Sequence, residues 1–300
     1  MDFLVGYTGF VGSNLKHSHK FDGLFNRQNI QEAYGKRPDI LVYAGIPAEK
    51  YLANKSPGKD LEIIQQGIQN IQNINPQKLV LISTIDVYEK AVNVNEDDLA
   101  DAKETYGKNR RFLETLVQKN ISDFHIVRLP ALFGVGIKKN FIYDLININP
   151  ALLAKDKYEE LSQKSSLIKA SYQLQENSFY KLIIQEKRGL NDLKKEFLSL
   201  DFSALNFTDS RAIFPFYNLQ NLWQDIQWVI QKKISLMNLA VEPLTVSEIY
   251  QAVFKREFIN ELKKTVPHYD FKTKYSASGY LKNKEEILKE LVAFIKEQQK

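Results

Sequence analysis

Over the first 130 residues, short apolar runs alternate with longer stretches whose apolar positions recur every three or four residues. The short runs Asp2–Gly6, Gly23–Asn26, Ile40–Ala44, Lys78–Ser83 and Phe124–Leu129 predict strands. Between them, Leu61–Ile74 sets Ile63, Ile64, Gly67, Ile68 and Ile71 at helical spacing, and Tyr106–Lys119 does the same with Phe112, Leu113, Leu116 and Val117. Strand–helix alternation predicts a parallel, doubly wound α/β sheet with right-handed crossovers. After Gly136 the pattern changes. Residues 150–205 are rich in Lys, Glu, Gln, Leu and Tyr, with helical spacing and little strand character. Ile213–Asn218 and Met237–Ala240 read as short strands and Ser247–Phe254 as a helix. Lys284–Lys300 reads as a closing helix with Ile287, Leu288, Leu291, Val292 and Ile295 on one side, a face that also suits a partner helix. Repeats, low-complexity tracts and Pro/Gly/Ser linkers are absent from the sequence, so the second lobe is expected to be woven into the first.

One turn carries the first sign of chemistry. Gly6-Tyr7-Thr8-Gly9-Phe10-Val11-Gly12 follows the apolar run Phe3-Leu4-Val5, and Ser13-Asn14-Leu15 opens a helix after it. In such a turn the first glycine permits the tight bend, the second lets backbone approach a pyrophosphate, and the third lets helix pack on strand. The unpaired N–H groups at the positive end of the helix then face the phosphates. Residues 1–136 are therefore expected to form a dinucleotide-binding domain of Rossmann type. Residues 137–300 are expected to form a smaller, mostly helical substrate-binding lobe with segments returning to that sheet.

Composition narrows the classes. The chain has 300 residues, 44% apolar and 26% charged, which is ordinary for a globular protein. It has no cysteine, so disulfide and thiolate chemistry are excluded. His17, His19, His125 and His268 are scattered and predict no metal cluster. No apolar stretch approaches the ~18 residues of a membrane span. No basic segment followed by an apolar one opens the chain, so a cytoplasmic location is expected. The net charge of +5 is spread beside acids, as in Lys282-Asn283-Lys284-Glu285-Glu286, which reads as solvated surface rather than a nucleic-acid footprint.

Five ordered blocks resemble the extended short-chain dehydrogenases/reductases, the nucleotide-sugar epimerase, dehydratase and reductase superfamily. They are Gly6–Gly12 with Gly-x-x-Gly-x-x-Gly spacing, Tyr43-Ala44-Gly45, Ser83-Thr84-Ile85-Asp86-Val87-Tyr88, Arg128-Leu129-Pro130-Ala131-Leu132-Phe133-Gly134, and Asn238–Ile249. The likeness spans nearly the whole chain except 150–205. It implies hydride transfer between a nicotinamide and a sugar carbon, with Tyr106 as acid/base and Thr84 as the hydroxyl that polarises the carbonyl; Ser83 is the alternative hydroxyl. It also implies dinucleotide contacts from Gly6, Thr8, Gly9, Phe10, Val11, Gly12, Asn26, Arg27, Ala44, Gly45, Ser83 and Pro130. Substrate contacts are implied for Asp86, Lys138, Asn140 and Arg211, with 150–205 as a lid. A homodimer through Leu61–Ile74 and Tyr106–Lys119 is a further implication.

The chain departs from the family at one catalytic position. The family's lysine, four residues after the tyrosine, lowers the phenol's pKa and holds the nicotinamide ribose; here that residue is Arg110. Arginine keeps the charge and the helix face but has a planar, bulkier donor set. Either Arg110 does the lysine's work, or hydride transfer is impaired and the chain serves as a cofactor-binding sensor or scaffold. A literal Tyr51-x-x-x-Lys55 stands in a loop of the family and is not expected to be catalytic, while Lys50 and Lys55 are read as a phosphate contact or as solvated surface. At the end of the second strand Asn26-Arg27 replaces the carboxylate expected for NAD. Arg27 could fork onto a 2′-phosphate, which favours NADP, with NAD as the alternative.

Overall fold

The structure is a computed structural model and describes residues 1–299. In chain order the elements are β1 (Asp2–Val5), α1 (Phe10–Ser18), β2 (Gly23–Phe25), β3 (Ile40–Tyr43), α2 (Lys50–Lys55), α3 (Pro57–Ile74), β4 (Leu79–Thr84) and α4 (Thr105–Asn120). They continue with β5 (Phe124–Leu129), β6 (Ala131–Phe133), α5 (Phe141–Ile146), β7 (Leu152–Ala154), α6 (Lys155–Lys164), α7 (Ser166–Ser171), β8 (Tyr172–Leu174), β9 (Phe179–Leu182) and α8 (Lys187–Ser199). The last are β10 (Ile213–Phe214), β11 (Phe216–Asn218), α9 (Leu222–Gln231), β12 (Leu236–Asn238), β13 (Leu244–Thr245), α10 (Val246–Phe254) and α11 (Lys284–Gln298). The chain divides into two compact units, each described by itself. One comprises Met1–Ile137, Ile213–Leu244 and Pro267–Leu291; the other comprises Lys138–Ala212, Thr245–Val266 and the end of α11 from Val292.

The first unit holds a six-stranded sheet in the order β12-β5-β4-β3-β1-β2, with the assigned registers all parallel. Strand order reverses between β1 and β3, and in open α/β sheets the crevice at such a point is where ligands sit. The strands are apolar on both faces because helices cover both. Leu4, Leu41, Val42, Leu79, Val80, Ile126 and Val127 are fully buried. α3 starts four residues earlier than its apolar periodicity suggests, since Pro57 at its first turn is pre-set for helix, and it stops at Asn75 in the left-handed region, φ 54°. Ile64, Ile68, Ile71 and Ile74 of α3 pack with Leu113 and Val117 of α4 and with the sheet. The expected strand Ile213–Asn218 is two strands, β10 and β11, because Pro215 between them lacks the N–H a continuous ladder needs. The segment after β3, expected as loop, contains the short helix α2.

The second unit corrects the expectation of little strand character for 150–205. β7, β9 and β8 form an antiparallel sheet, with a turn over 175–178 joining β8 to β9. α6, α7 and α8 pack around Leu153, Leu161, Ile168, Tyr172, Leu193 and Phe197, a separate apolar core. Tyr158 and Tyr180 stack there at 3.7 Å. α11 ends at Gln298; the expected final residue of that helix, Lys300, lies outside the described residues. Among the described residues no helix is long and apolar enough to cross a membrane.

Candidate active site

The carboxyl ends of β1, β3, β4 and β5 bring four of the five matched blocks to one edge of the sheet. The three glycines of the first turn have three separate reasons to be there. Gly6 has φ +90°, and a Cβ on it would lie 2.8 Å from Gly45 N and 2.6 Å from the Ala44 carbonyl carbon, so only glycine lets the turn touch the end of β3. A Cβ on Gly12 would lie 2.7 Å from the Gly6 carbonyl carbon and 2.9 Å from Tyr7 Cα, so α1 packs on the turn only without a side chain. Gly9 is exposed, and the one nearby atom is Gly6 O at 3.3 Å; its missing side chain opens the loop outward. α1 has no capping side chain and no acid in its first turn, and its first bond from outside the helix is Ser13 N to Gly9 O, 2.8 Å. The N–H groups of Phe10, Val11 and Gly12 therefore come before the helical ladder, as a pyrophosphate cradle requires.

Beside this cradle, Asn26 at the end of β2 accepts from Gln28 N at 2.8 Å and turns its amide toward Tyr7 Oη, 3.4 Å. Arg27 next to it is exposed. The carboxylate that would repel a 2′-phosphate is absent at both positions.

Tyr106 opens α4, and two other residues hold that opening in place. Asn54 of α2 accepts from Tyr106 N at 2.9 Å and donates to Glu104 at 2.6 Å. Gly107 meets the turn after β4 so closely that a Cβ would lie 2.5 Å from Ala102 Cβ and closer still to the Asp86 carbonyl oxygen. This approach brings the Tyr106 phenol to Thr84 and Arg110. Burial pushes the phenol above its usual pKa of 10, Arg110 and Thr84 pull it down, and the Asp86 charge adds to the rise. The net direction is upward, so the phenol keeps its proton at neutral pH. The Ser83 hydroxyl is engaged elsewhere: it donates to buried Glu114 at 2.7 Å, and Glu114 also forks with Arg128 at 2.9 and 2.6 Å.

Arg110 is buried beneath the phenol ring, with its guanidinium carbon 4.4 Å from the ring centroid. It donates to both oxygens of Asp60 at 2.8 and 3.1 Å, and to the Pro47 carbonyl at 2.7 Å. Asn109 donates to the same Asp60 carboxylate at 2.8 Å. Asp60 is a site residue that the sequence motifs do not point to. Its signal is in the sequence all the same: it lies one turn before Ile64 on the buried face of α3, where an acid is out of place without a cation.

A cavity of about 200 Å³ opens beside Thr84, lined also by Asp86, Leu129, Pro130, Ala131, Phe214, Pro215 and Tyr269. Its walls are mainly apolar, and Phe214 and Tyr269 stack at 5.8 Å on one side. Asp86 pairs with Lys50 at 3.2 Å and faces Tyr269 Oη at 3.5 Å. Burial pulls the Lys50 ammonium down, but Asp86 and Tyr269 outweigh it and the net direction is up, so Lys50 stays charged. Tyr51 and Lys55, by contrast, are exposed on α2.

The other three expected substrate residues belong to the second unit. Lys138 is exposed, and Asn140 caps α5 by accepting from Ile142 N at 3.0 Å and Tyr143 N at 3.3 Å. Arg211 is already held by acids: Asp209 at 2.8 and 3.0 Å and Glu261 at 3.0 Å. The Arg211 hydrogen bond keeps the Asp209 carboxyl well below the usual carboxylate range. An anion at Arg211 would compete with these partners.

No family model matches the chain, and no curated protein matches it. Solved structures do. A dTDP-4-dehydrorhamnose reductase from Yersinia enterocolitica superposes with a TM-score of 0.64 at 13% identity, covering 100% of this chain and 99% of that one. The dTDP-4-dehydrorhamnose reductase of Bacillus anthracis in complex with NADP gives 0.65 at 15%, covering 98% and 97%. The UDP-N-acetylglucosamine 4-epimerase of Methanobrevibacter ruminantium, in complex with UDP-N-acetylmuramic acid, gives 0.63 at 10%, covering 98% and 96%. At these identities the likeness is one of fold. The chain has the fold of these nucleotide-sugar reductases and epimerases, the extended short-chain dehydrogenase/reductase architecture that its five sequence blocks resemble.

Proposed function

We propose that the chain is an NAD(P)-dependent enzyme acting on a nucleotide-activated sugar, with Tyr106 as the proton donor and Thr84 as the hydroxyl that polarises the sugar carbonyl. The observation that carries this reading is the meeting of Tyr106, Thr84 and Arg110 beside a cavity at the same sheet edge as the glycine cradle. The residues present fit a dinucleotide: an outward-open Gly9, three N–H groups at the start of α1, and an exposed Arg27 with no acid beside it, which favours NADP. Hydride chemistry is what the nicotinamide supplies when bound. Everything else falls to the chain. Thr84 donates to the carbonyl oxygen, and Tyr106 passes its proton to that oxygen as negative charge develops there. A phenol that stays protonated at neutral pH suits the reducing direction, in which the tyrosine must give a proton rather than take one. The cavity walls are mainly apolar, which favours a poorly hydrated site. A homodimer and a nucleoside diphosphate contact at Lys138, Asn140 or Arg211 belong to the same proposal.

A second reading, a dinucleotide-binding sensor with poor turnover, draws on the fact that Arg110 is bound on two sides and not free for a ribose. Oxidation of NADPH and NADH with a panel of nucleotide 4-ketosugars separates the two. The enzyme reading expects turnover that falls by about 10²–10⁴ in Tyr106→Phe with dinucleotide affinity kept. Turnover equal to wild type in that variant would remove Tyr106 from its role. Tight binding without any turnover would favour the sensor.

A further inference from the structure

We propose that Asp60 is a positioning residue: it fixes Arg110 against the Tyr106 ring, and the pair serves the tyrosine, not the ribose of a bound dinucleotide. This rests on the proposed role of Tyr106. It assigns the Arg110 position a narrower job than the double duty implied for a lysine there.

A guanidinium and an ammonium make different demands on their surroundings. A lysine ammonium is a point charge on a flexible stem and can reach a phenol and a ribose by small rotations. A guanidinium is a rigid plane whose direction is set by whatever its edges hold. Here both edges are held. Nη1 donates to Asp60, and Nη2 donates to Asp60 and to the Pro47 carbonyl, so the plane is gripped by α3 on one side and by the backbone after β3 on the other. The guanidinium carbon lies 4.4 Å from the Tyr106 ring centroid. Asp60 is itself anchored: it is buried, lies in the first turn of α3 where the helix dipole favours an anion, and accepts a third bond from Asn109. A side chain buried this deeply, with three donor contacts made, would have to break a buried ion pair to turn toward another ligand. What remains open to it is the ring it covers. Asp60 does not touch the phenol; it acts through Arg110.

The experiment uses the full chain with Asp60→Asn and Asp60→Ala. NADPH affinity is read by fluorescence titration. Ionisation of Tyr106 is read as the alkaline absorbance difference between each protein and its Tyr106→Phe counterpart. Neither readout needs the sugar substrate, so a failure to turn over any nucleotide sugar overturns the proposed reaction without deciding this inference. The expected result is that Asp60→Ala moves the phenol's midpoint up by about one pH unit, a tenfold loss of phenolate at fixed pH, because the guanidinium is released from the ring. Asp60→Asn, which keeps the shape and one acceptor, moves it less, and NADPH affinity stays within about twofold in both. An unmoved phenol titration accompanied only by lower thermal stability would show that Asp60 merely packs, and overturns the proposal. A tenfold or greater loss of NADPH affinity would show that the pair serves the dinucleotide, and overturns it equally. Should Asp60→Ala not fold, Asp60→Asn alone carries both tests.

Discussion

Replacing Gly107 with alanine separates the geometry of the site from the stability of its helix. On propensity alone the change helps, since alanine in a helix interior is worth about 1 kcal/mol over glycine. The structure opposes it. The new methyl would sit 2.5 Å from Ala102 Cβ, about 1 Å inside ordinary carbon contact, and nearer still to the Asp86 carbonyl oxygen. Backbone cannot swing aside as a side chain tip can, so α4 must back away from the turn after β4. Overpacking of this kind costs about 1–3 kcal/mol, which leaves net stability between unchanged and about 2 kcal/mol lower. The catalytic effect is larger. Tyr106 is the adjacent residue, and in the proposed roles a displacement of about 1 Å between Tyr106 and Thr84 costs on the order of 100-fold in turnover. The assay is kcat with NADPH and a 4-ketosugar alongside a thermal melt, with Gly58→Ala as control, since a methyl there meets nothing within 4 Å. A Gly107→Ala protein that is more stable and as fast as wild type would refute the claim that this close approach assembles the site.

Two further outcomes test the units separately. Gly12→Ala, whose methyl would meet the Gly6 carbonyl carbon at 2.7 Å, should cut NADPH affinity at least tenfold, about 1.4 kcal/mol, while the protein stays folded; unchanged affinity would mean that the cradle is not the binding site. Asp144 on α5 has its carboxyl pushed by burial from 3.8 up to about 7, so the folded form holds its proton where the unfolded chain has lost it. Stability contributed there is present below pH 4, falls as pH rises to 7, and is flat above. Asp144→Asn should therefore raise stability at pH 8 relative to pH 4 by about 2 kcal/mol after allowance for partial exposure; a melt difference that is the same at both pH values would contradict this.

The sheet was legible because its strands obey strong local rules. Each is a largely buried apolar run with a glycine, a polar residue or a proline at its end or within two residues after it, and β1 to β5 fall within a residue of their expected bounds. The glycine turn, Thr84 and Tyr106 stand in blocks whose spacing is readable along the chain, and the structure brings Tyr106 to Thr84. What was not legible depends on partners far away in sequence. The Tyr172-Gln-Leu and Phe179-Tyr-Lys-Leu strands are too short for an alternating pattern to outweigh the helical residues around them. Asp60 is 50 residues from Arg110 and meets it only because α3 and α4 pack side by side. Asn54, which holds the Tyr106 backbone, sits inside a Tyr-x-x-x-Lys stretch whose own tyrosine and lysine point to solvent. Arg211 has the spacing of a phosphate ligand, and the structure pairs it with Asp209, two residues before it, and with Glu261, fifty residues after it.

The grip of Asp60 on Arg110 also bears on how this chain can change over descent. A lysine at 110 with Asp60 still in place would give its single point charge to the carboxylate and leave the phenol ring bare. An arginine without Asp60 would keep its charge but lose the edge that orients it. If Asp60 orients Arg110 as proposed, positions 60 and 110 are expected to change together, and a relative with lysine at 110 is expected to lack the acid at 60.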